Sequence, residues 1–251
     1  MRIWFLDNGS IVIDHAQLMW NIGGGTPVRI PSYAVLIEHD EGLFLFDTGF
    51  DLEHTERVLP FELPEQTPEQ TIPAQLALCG FGVGDVTTLV MSHLHFDHVG
   101  GNKHFVEAGT RTLVHAREIA QARNHEPFEF FGYSDGTWDG PGANLVPVTG
   151  DQEIAKGLHL LETPGHTVGH YSLLVTPEQD RPLLFAFDVV YTSAALERGV
   201  QPGFHIDPVA GVRSIRRIKA VAEERGAEVI FSHDMDAWQG YRHAPDAYEV
   251  K

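Results

Sequence analysis

The sequence predicts an α/β protein folded as a single domain. Short β-rich runs recur along the 251 residues, and helical patterns lie between them. No internal repeat, low-complexity tract or Pro- or Ser-rich linker divides the chain. A chain of this length can bury a substantial apolar core. We therefore expect one domain over residues 1–251, with a loop insertion around 126–144.

Nine runs are predicted as strands because their apolar and β-branched residues are bounded by Gly, Pro, Asp or Asn. They cover residues 2–6, 33–38, 43–46, 88–91, 112–115, 158–163, 171–175, 183–187 and 228–231. Three segments have helical patterns, at 71–78, 116–123 and 209–225. The last is the clearest, since Asp207 can cap its N-terminus, Pro208 suits the first position and Gly226 can end it.

Composition excludes several classes of protein. The chain has 17 Lys and Arg against 35 Asp and Glu, a net charge of −18, which disfavours nucleic acid as a partner. A single cysteine, Cys79, excludes an intramolecular disulfide and a cysteine-only metal site. No apolar run approaches the roughly 18 residues of a spanning helix, and the N-terminal apolar stretch is too short for a signal peptide. We expect a cytoplasmic protein that does not bind membranes.

Four metal-ligand side chains fall within six residues directly after the predicted strand at 88–91. These are His93, His95, Asp97 and His98. Alternation along an extended chain puts His93 and His95 on one side, and the turn toward Gly100 can bring the other two round to face them. Imidazole and carboxylate ligands suit zinc and also iron, cobalt or manganese. The motif therefore predicts a metal site with room for two ions.

Three more candidate ligands each follow a predicted strand. His166 comes after the run at 158–163, Asp188 after 183–187, and His233 after 228–231. Side chains collected from the ends of several strands lie along one rim of a sheet, where α/β proteins place their sites. These three residues are therefore expected to complete the metal site.

Taken together, these residues resemble the metallo-β-lactamase superfamily, and within it the dinuclear-metal lactonases. Beyond the His-x-His-x-Asp-His motif, the Phe-Asp-Thr-Gly turn at 46–49, the Thr-Pro-Gly-His around His166 and the Ser-His-Asp around His233 follow the family order. The resemblance spans nearly the whole chain. It implies an αββα sandwich and a metal-dependent hydrolase of carboxylic ester bonds.

The resemblance also implies a role for each ligand. His93, His95 and His166 would bind one divalent ion, and Asp97, His98 and His233 would bind the other. Asp188 would bridge the two ions, and Asp47 would orient a ligand histidine. Zinc is the expected metal, with iron, cobalt and manganese as alternatives.

Two residues are assigned to catalysis. Tyr191 stands three residues after Asp188, where homoserine lactonases of this superfamily carry a tyrosine that contacts the substrate carbonyl. Its phenol is a neutral donor that can stabilise a developing oxyanion. Asp97 is given a second role as proton donor to the leaving ring oxygen. His170, four residues after His166, is left open as a further site residue.

The expected substrate is an N-acyl-homoserine lactone, which would make the enzyme quorum-quenching. An apolar channel for the acyl tail could be lined by Trp20, Phe128, Phe131, Tyr133, Trp138, Phe204 and His205, although the aromatics at 126–144 could equally cover the core. Several stretches are similar to 4-pyridoxolactonase of vitamin B6 degradation, so 4-pyridoxolactone is the alternative substrate. A glyoxalase II-type thioester hydrolase or a non-catalytic metal-binding module is less favoured. The protein is expected to be a monomer or homodimer.

Overall fold

The computed structural model describes residues 1–251, which form two compact units. The first unit comprises Met1–Val12, Pro31–Val148 and Tyr241–Glu249. The second comprises Ile13–Ile30, Thr149–Gly240 and Val250–Lys251. None of the helices combines the length and the apolar character needed to cross a bilayer.

Twelve strands and nine α-helices make up the regular structure. The strands are β1 (Arg2–Asp14), β2 (Pro27–His39), β3 (Gly42–Phe46), β4 (Thr88–Val90), β5 (Arg111–His115), β6 (Asn144–Val148), β7 (Gln152–Ala155), β8 (Leu158–Glu162), β9 (Tyr171–Val175), β10 (Leu183–Phe187), β11 (Glu228–Phe231) and β12 (Tyr248–Glu249). The helices are α1 (His15–Leu18), α2 (Leu52–Val58), α3 (Ile72–Leu78), α4 (Phe96–Val99), α5 (Asn102–Ala108), α6 (Ala116–Arg123), α7 (Ser193–Arg198), α8 (Pro208–Arg225) and α9 (Met235–Gly240).

All three predicted helices are present, and α8 has the predicted ends. Oδ1 of Asp207 accepts hydrogen bonds from the backbone N–H groups of Val209 and Ala210, both at 2.9 Å. Gly226 ends the helix with a φ of 63°, in the left-handed region that glycine adopts without a steric penalty. The predicted cap and stop are therefore confirmed.

The first unit is built on a seven-stranded sheet with the order β12, β1, β2, β3, β4, β5, β6. The neighbours β3, β4, β5 and β6 run parallel. Their carboxyl ends therefore meet at one edge, and the segments that follow β3 and β4 begin beside each other. These segments carry Asp47 and the motif from His93 to His98.

The core of the first unit lies between this sheet and its helices. It includes Trp4, Leu36, Leu45 and Phe105, and Cys79 packs against it. Burial raises the pKa of the Cys79 thiol to about 11. The thiol is therefore protonated near neutral pH and is a poor metal ligand there.

The second unit is built on a five-stranded sheet with the order β11, β10, β9, β8, β7. The pair β10 and β11 is parallel, whereas β9 is antiparallel to both β8 and β10. The strands β8, β10 and β11 therefore point the same way. Their carboxyl ends lead into His166, Asp188 and His233 at one edge of the sheet.

Candidate metal centre

In the first unit the four motif side chains lie in the turn after β4 and in α4. His93, His95, Asp97 and His98 are all at least nine-tenths buried. The ring of His93 lies 4.6 Å from that of His95 and 4.1 Å from that of His98, measured between centroids. Oδ2 of Asp97 lies 3.7 Å from Nε2 of His98. Burying this many ligating groups without metal is costly, so the cluster is suited to a cation.

Asp47 holds the motif from the end of β3. Its Oδ1 accepts the backbone N–H of Ser92 at 2.7 Å, and its Oδ2 accepts the Ser92 hydroxyl at 2.6 Å and Nδ1–H of His98 at 2.8 Å. Because Ser92 donates to Asp47, its oxygen accepts Nδ1–H of His93 at 3.0 Å. Both imidazoles therefore present the lone pair of Nε2, as a metal ligand must.

Gly100 fixes the end of the motif against the turn that carries Asp47. Its N–H donates to the carbonyl of Gly49 at 2.7 Å. A Cβ at position 100 would lie 2.0 Å from the backbone N of Asp51 and 2.2 Å from the carbonyl carbon of Phe50. These are backbone atoms, so only glycine allows this approach.

Gly100→Ala is therefore expected to lower the free energy of unfolding by about 1–3 kcal/mol, the usual range for overpacking. Gly84→Ala is the matched control, because no atom lies within 4 Å of a Cβ built there. Urea unfolding of both variants measures the difference. Equal urea midpoints for the two variants would show that the backbone at position 100 can move away from Phe50 and Asp51 at little cost in free energy.

The aromatic loop at 126–144 contacts the motif through Tyr133. The Tyr133 ring lies 4.9 Å from that of His95, and its hydroxyl donates to Oε1 of Glu118 at 3.0 Å. The same Glu118 oxygen accepts the backbone N–H of Leu94 at 3.1 Å, and Glu118 is fully buried. Sequence reasoning missed Glu118. A carboxylate beside Ile119 on the inward face of a helix was the available signal.

The other predicted aromatics of this loop differ in exposure. Phe128 is 69% exposed and Phe131 is 45% exposed, whereas Trp138 is 4% exposed and belongs to the core. The Phe131 ring packs edge to face on Phe61 at 5.4 Å. The exposed phenylalanines therefore remain available to a ligand, and Trp138 packs as a core residue.

In the second unit His166, Asp188 and His233 are almost completely buried together. Nε2 of His166 lies 3.4 Å from Oδ2 of Asp188, and Nε2 of His233 lies 3.3 Å from its Oδ1. Nδ1–H of His166 donates to the carbonyl of Phe204 at 2.6 Å, which leaves the Nε2 lone pair facing Asp188. One carboxylate between two imidazoles is a donor set that fits a divalent metal.

Tyr191 and His170 flank this second set. The Tyr191 ring lies 4.5 Å from that of His233 and 6.0 Å from that of His166. His170 lies in the same cluster, but its Nε2 accepts the backbone N–H of Asp188 at 3.0 Å. The structure therefore gives His170 a contact with the backbone of a candidate ligand.

In the second unit Phe204 contacts His166, and Trp20 contacts His205. The Trp20 ring is 42% exposed and meets the His205 ring edge to face at 4.5 Å. The Phe204 ring lies 6.2 Å from His166, and the Phe204 carbonyl holds that histidine. Of the three predicted substrate contacts, Phe204 therefore lies beside the second ligand set, and Trp20 contacts the residue that follows Phe204 in the chain.

Comparison with known proteins shows the family to which the chain belongs. The sequence profile of the metallo-β-lactamase superfamily matches residues 28–233. The chain belongs to the metallo-β-lactamase superfamily. It has the metallo-β-lactamase fold, as the resemblance implied.

Known members of the superfamily match this chain over almost their whole length. It is 31% identical to an N-acyl homoserine lactonase of Bacillus sp, with 98% of each chain covered. It is also 31% identical to the N-acyl homoserine lactonase AttM of Rhizobium radiobacter, covering 99% of this chain and 98% of AttM. A solved N-acyl homoserine lactone hydrolase, with the product N-hexanoyl-L-homoserine at its catalytic metal center, matches with a TM-score of 0.86 and 29% identity, covering 98% of both chains.

Proposed function

We propose that this protein is a metal-dependent lactonase that opens the ring of N-acyl-homoserine lactones. The observation that carries the proposal is the buried set of imidazole and carboxylate ligands, in which three histidines have Nδ1 hydrogen-bonded, so that Nε2 carries the lone pair that can bind metal. The full-length relatives named as N-acyl homoserine lactonases support the substrate class.

We propose that the seven ligands hold two divalent ions, zinc first, with the assignment that the resemblance implies. His93, His95 and His166 would hold one ion, Asp97, His98 and His233 the other, and Asp188 both. Bound ions supply Lewis acidity at the ester carbonyl and lower the pKa of a water molecule toward neutrality. Hydrogen bonds to Asp47, Ser92 and the Phe204 carbonyl hold the imidazole rings of the ligand histidines in place.

Two side chains act on the substrate in this proposal. The Tyr191 hydroxyl donates a hydrogen bond to the carbonyl oxygen as negative charge develops on it. Asp97 takes up the proton that the attacking water loses and gives it to the ring oxygen, which would otherwise leave as a strongly basic alkoxide. Both residues are less than one-tenth exposed, so water competes little for these interactions.

The acyl chain of the substrate needs apolar surface that water can reach. The exposed rings of Phe128 and Phe131 in the first unit and of Trp20 in the second provide such surface. We propose that they contact the acyl chain, with Phe204 and His205 close to the lactone ring. A cytoplasmic location and a monomeric or dimeric state remain predictions.

Proton release in a weakly buffered indicator tests the proposed function. Zinc- or cobalt-loaded protein is given a short-chain and a long-chain N-acyl-homoserine lactone, 4-pyridoxolactone and S-lactoylglutathione. We expect one proton for each acyl-homoserine lactone opened, and loss of the reaction after dialysis against a chelator. If only 4-pyridoxolactone is opened, that lactone is the substrate and the N-acyl-homoserine lactone assignment is wrong. Full activity without bound metal would overturn the mechanism.

A further inference from the structure

A chain of hydrogen bonds connects the backbone on the two sides of Phe187, the residue immediately before Asp188. It begins at the backbone N–H of Asp188, which donates to Nε2 of His170 at 3.0 Å. Nδ1 of His170 lies 2.8 Å from Oγ1 of Thr163, which lies 2.9 Å from Oγ of Ser172. The chain ends where Ser172 donates to the carbonyl of Ala186 at 2.9 Å. Both peptide groups flanking Phe187 are therefore tied to one buried chain.

The donors along this chain run in one direction. Nε2 of His170 accepts an N–H, so Nδ1 of the neutral ring carries the proton and donates to Thr163. Ser172 uses its proton on the Ala186 carbonyl and therefore accepts the hydroxyl proton of Thr163. His170, Thr163 and Ser172 are completely buried. A chain with every donor matched to an acceptor and no access to water keeps a single arrangement.

Phe187 has a conformation that needs such support. Its φ is 48°, in the left-handed region that a bulky residue rarely adopts. Its carbonyl accepts the hydroxyl of Ser232 at 3.1 Å, and the pairing of β10 with β11 shifts register at this point. The strained residue turns the chain out of β10 and leaves the Asp188 carboxylate between His166 and His233.

We propose that His170 is a positioning residue, which aims the Asp188 carboxylate by holding the backbone on both sides of Phe187. The inference rests on the proposed function, because it takes Asp188 to be a metal ligand. His170 binds no metal in this scheme, since both ring nitrogens are engaged in the chain. Its effect passes through the Asp188 N–H and should appear as a change in metal affinity.

Two amide variants separate the two contacts of His170. The amide of His170→Gln reaches the position of Nε2 and can still accept the Asp188 N–H. The shorter His170→Asn reaches only the position of Nδ1, so it can keep Thr163 but loses the Asp188 N–H. We expect zinc affinity close to wild type for His170→Gln and roughly 10- to 100-fold weaker affinity for His170→Asn. The visible absorption of bound cobalt should shift only in the asparagine variant.

Zinc affinity is measured by competition with a chromophoric chelator, and the melting temperature of each metal-free variant is recorded alongside. His159→Asn is the matched control, because Nε2 of His159, on β8, lies 3.1 Å from the hydroxyl of Thr176, directly after β9, and His159 does not contact Asp188. It should keep wild-type affinity. Thr163→Val removes the acceptor of Nδ1–H of His170, so the ring is no longer held against the Asp188 N–H and affinity should weaken in the same direction. This variant gives a second measurement if His170→Asn does not fold.

Equal zinc affinities for the asparagine and glutamine variants, with wild-type protein binding normally, would overturn the positioning role alone. Lower melting temperatures with unchanged affinity would do the same, since they would show a purely structural role. A wild-type chain that bound no metal would overturn the proposed function as well. These outcomes are distinguishable because wild-type binding is measured in the same titration.

Discussion

Asp188→Ala is expected to abolish both metal retention and lactone hydrolysis. Asp188 is 1% exposed, and its two oxygens lie 3.3 and 3.4 Å from Nε2 of His233 and of His166. Alanine removes the proposed shared ligand and leaves two imidazoles facing a cavity. The loss should exceed the roughly 10- to 100-fold that follows removal of an outer partner of a metal ligand. Metal content after dialysis and the rate of proton release measure it.

The control for this substitution is Asp236→Ala. Asp236 is an exposed carboxylate of the same unit, on α9, and its removal changes the net charge by the same amount. Metal content and rate should match wild type. If Asp188→Ala retained two metals per chain, Asp188 would not be the bridging ligand and the assignment of all seven residues would have to change.

Asp97→Asn is expected to lower kcat by about 10²- to 10⁴-fold, the usual contribution of a general acid. Asparagine keeps the shape of the side chain and one oxygen donor, but it has no proton to give to the departing ring oxygen. Metal content should therefore fall much less than turnover. Steady-state kinetics on an N-acyl-homoserine lactone, with metal analysis of the same sample, measures both quantities.

A lactone with a phenol as leaving group provides the control for Asp97→Asn. A phenolate is a much weaker base than an alkoxide, so its departure needs little help from an acid. The defect should therefore shrink on such a substrate. A defect of the same size on both substrates, or an unchanged kcat, would remove the proton-donor role from Asp97 and leave it only as a ligand.

All the strands that sequence analysis missed lie at the edges of the sheets, whereas all but one of those that it found are inner strands; the exception is β11. Runs such as 171–175 and 183–187 are buried on inner strands, so nearly all their residues are apolar and their bounds were predicted correctly. The missed strands β6, β7 and β12 are all edge strands. β6 contains Pro147, which an edge position tolerates, and β7 has polar residues among its four.

The candidate ligands could be predicted because each is a metal-binding residue type directly after an apolar run. The residues that support them could not. Glu118 and His170 are far in sequence from Leu94 and Asp188, whose N–H groups they accept, and no local pattern marks these pairings. The left-handed Phe187 was likewise unpredictable, because a bulky residue adopts that conformation only when tertiary contacts hold it there.

The order in which the strands occur along the chain has a consequence for biosynthesis. The sheet of the first unit ends with β12, which pairs with Arg2 and Ile3 at the start of β1. The sheet of the second unit ends with β11, which leads into His233. Each sheet therefore needs a strand from the last part of the chain to leave the ribosome. We expect the nascent chain to fold and take up its metals only after β11 and β12 have left the ribosome.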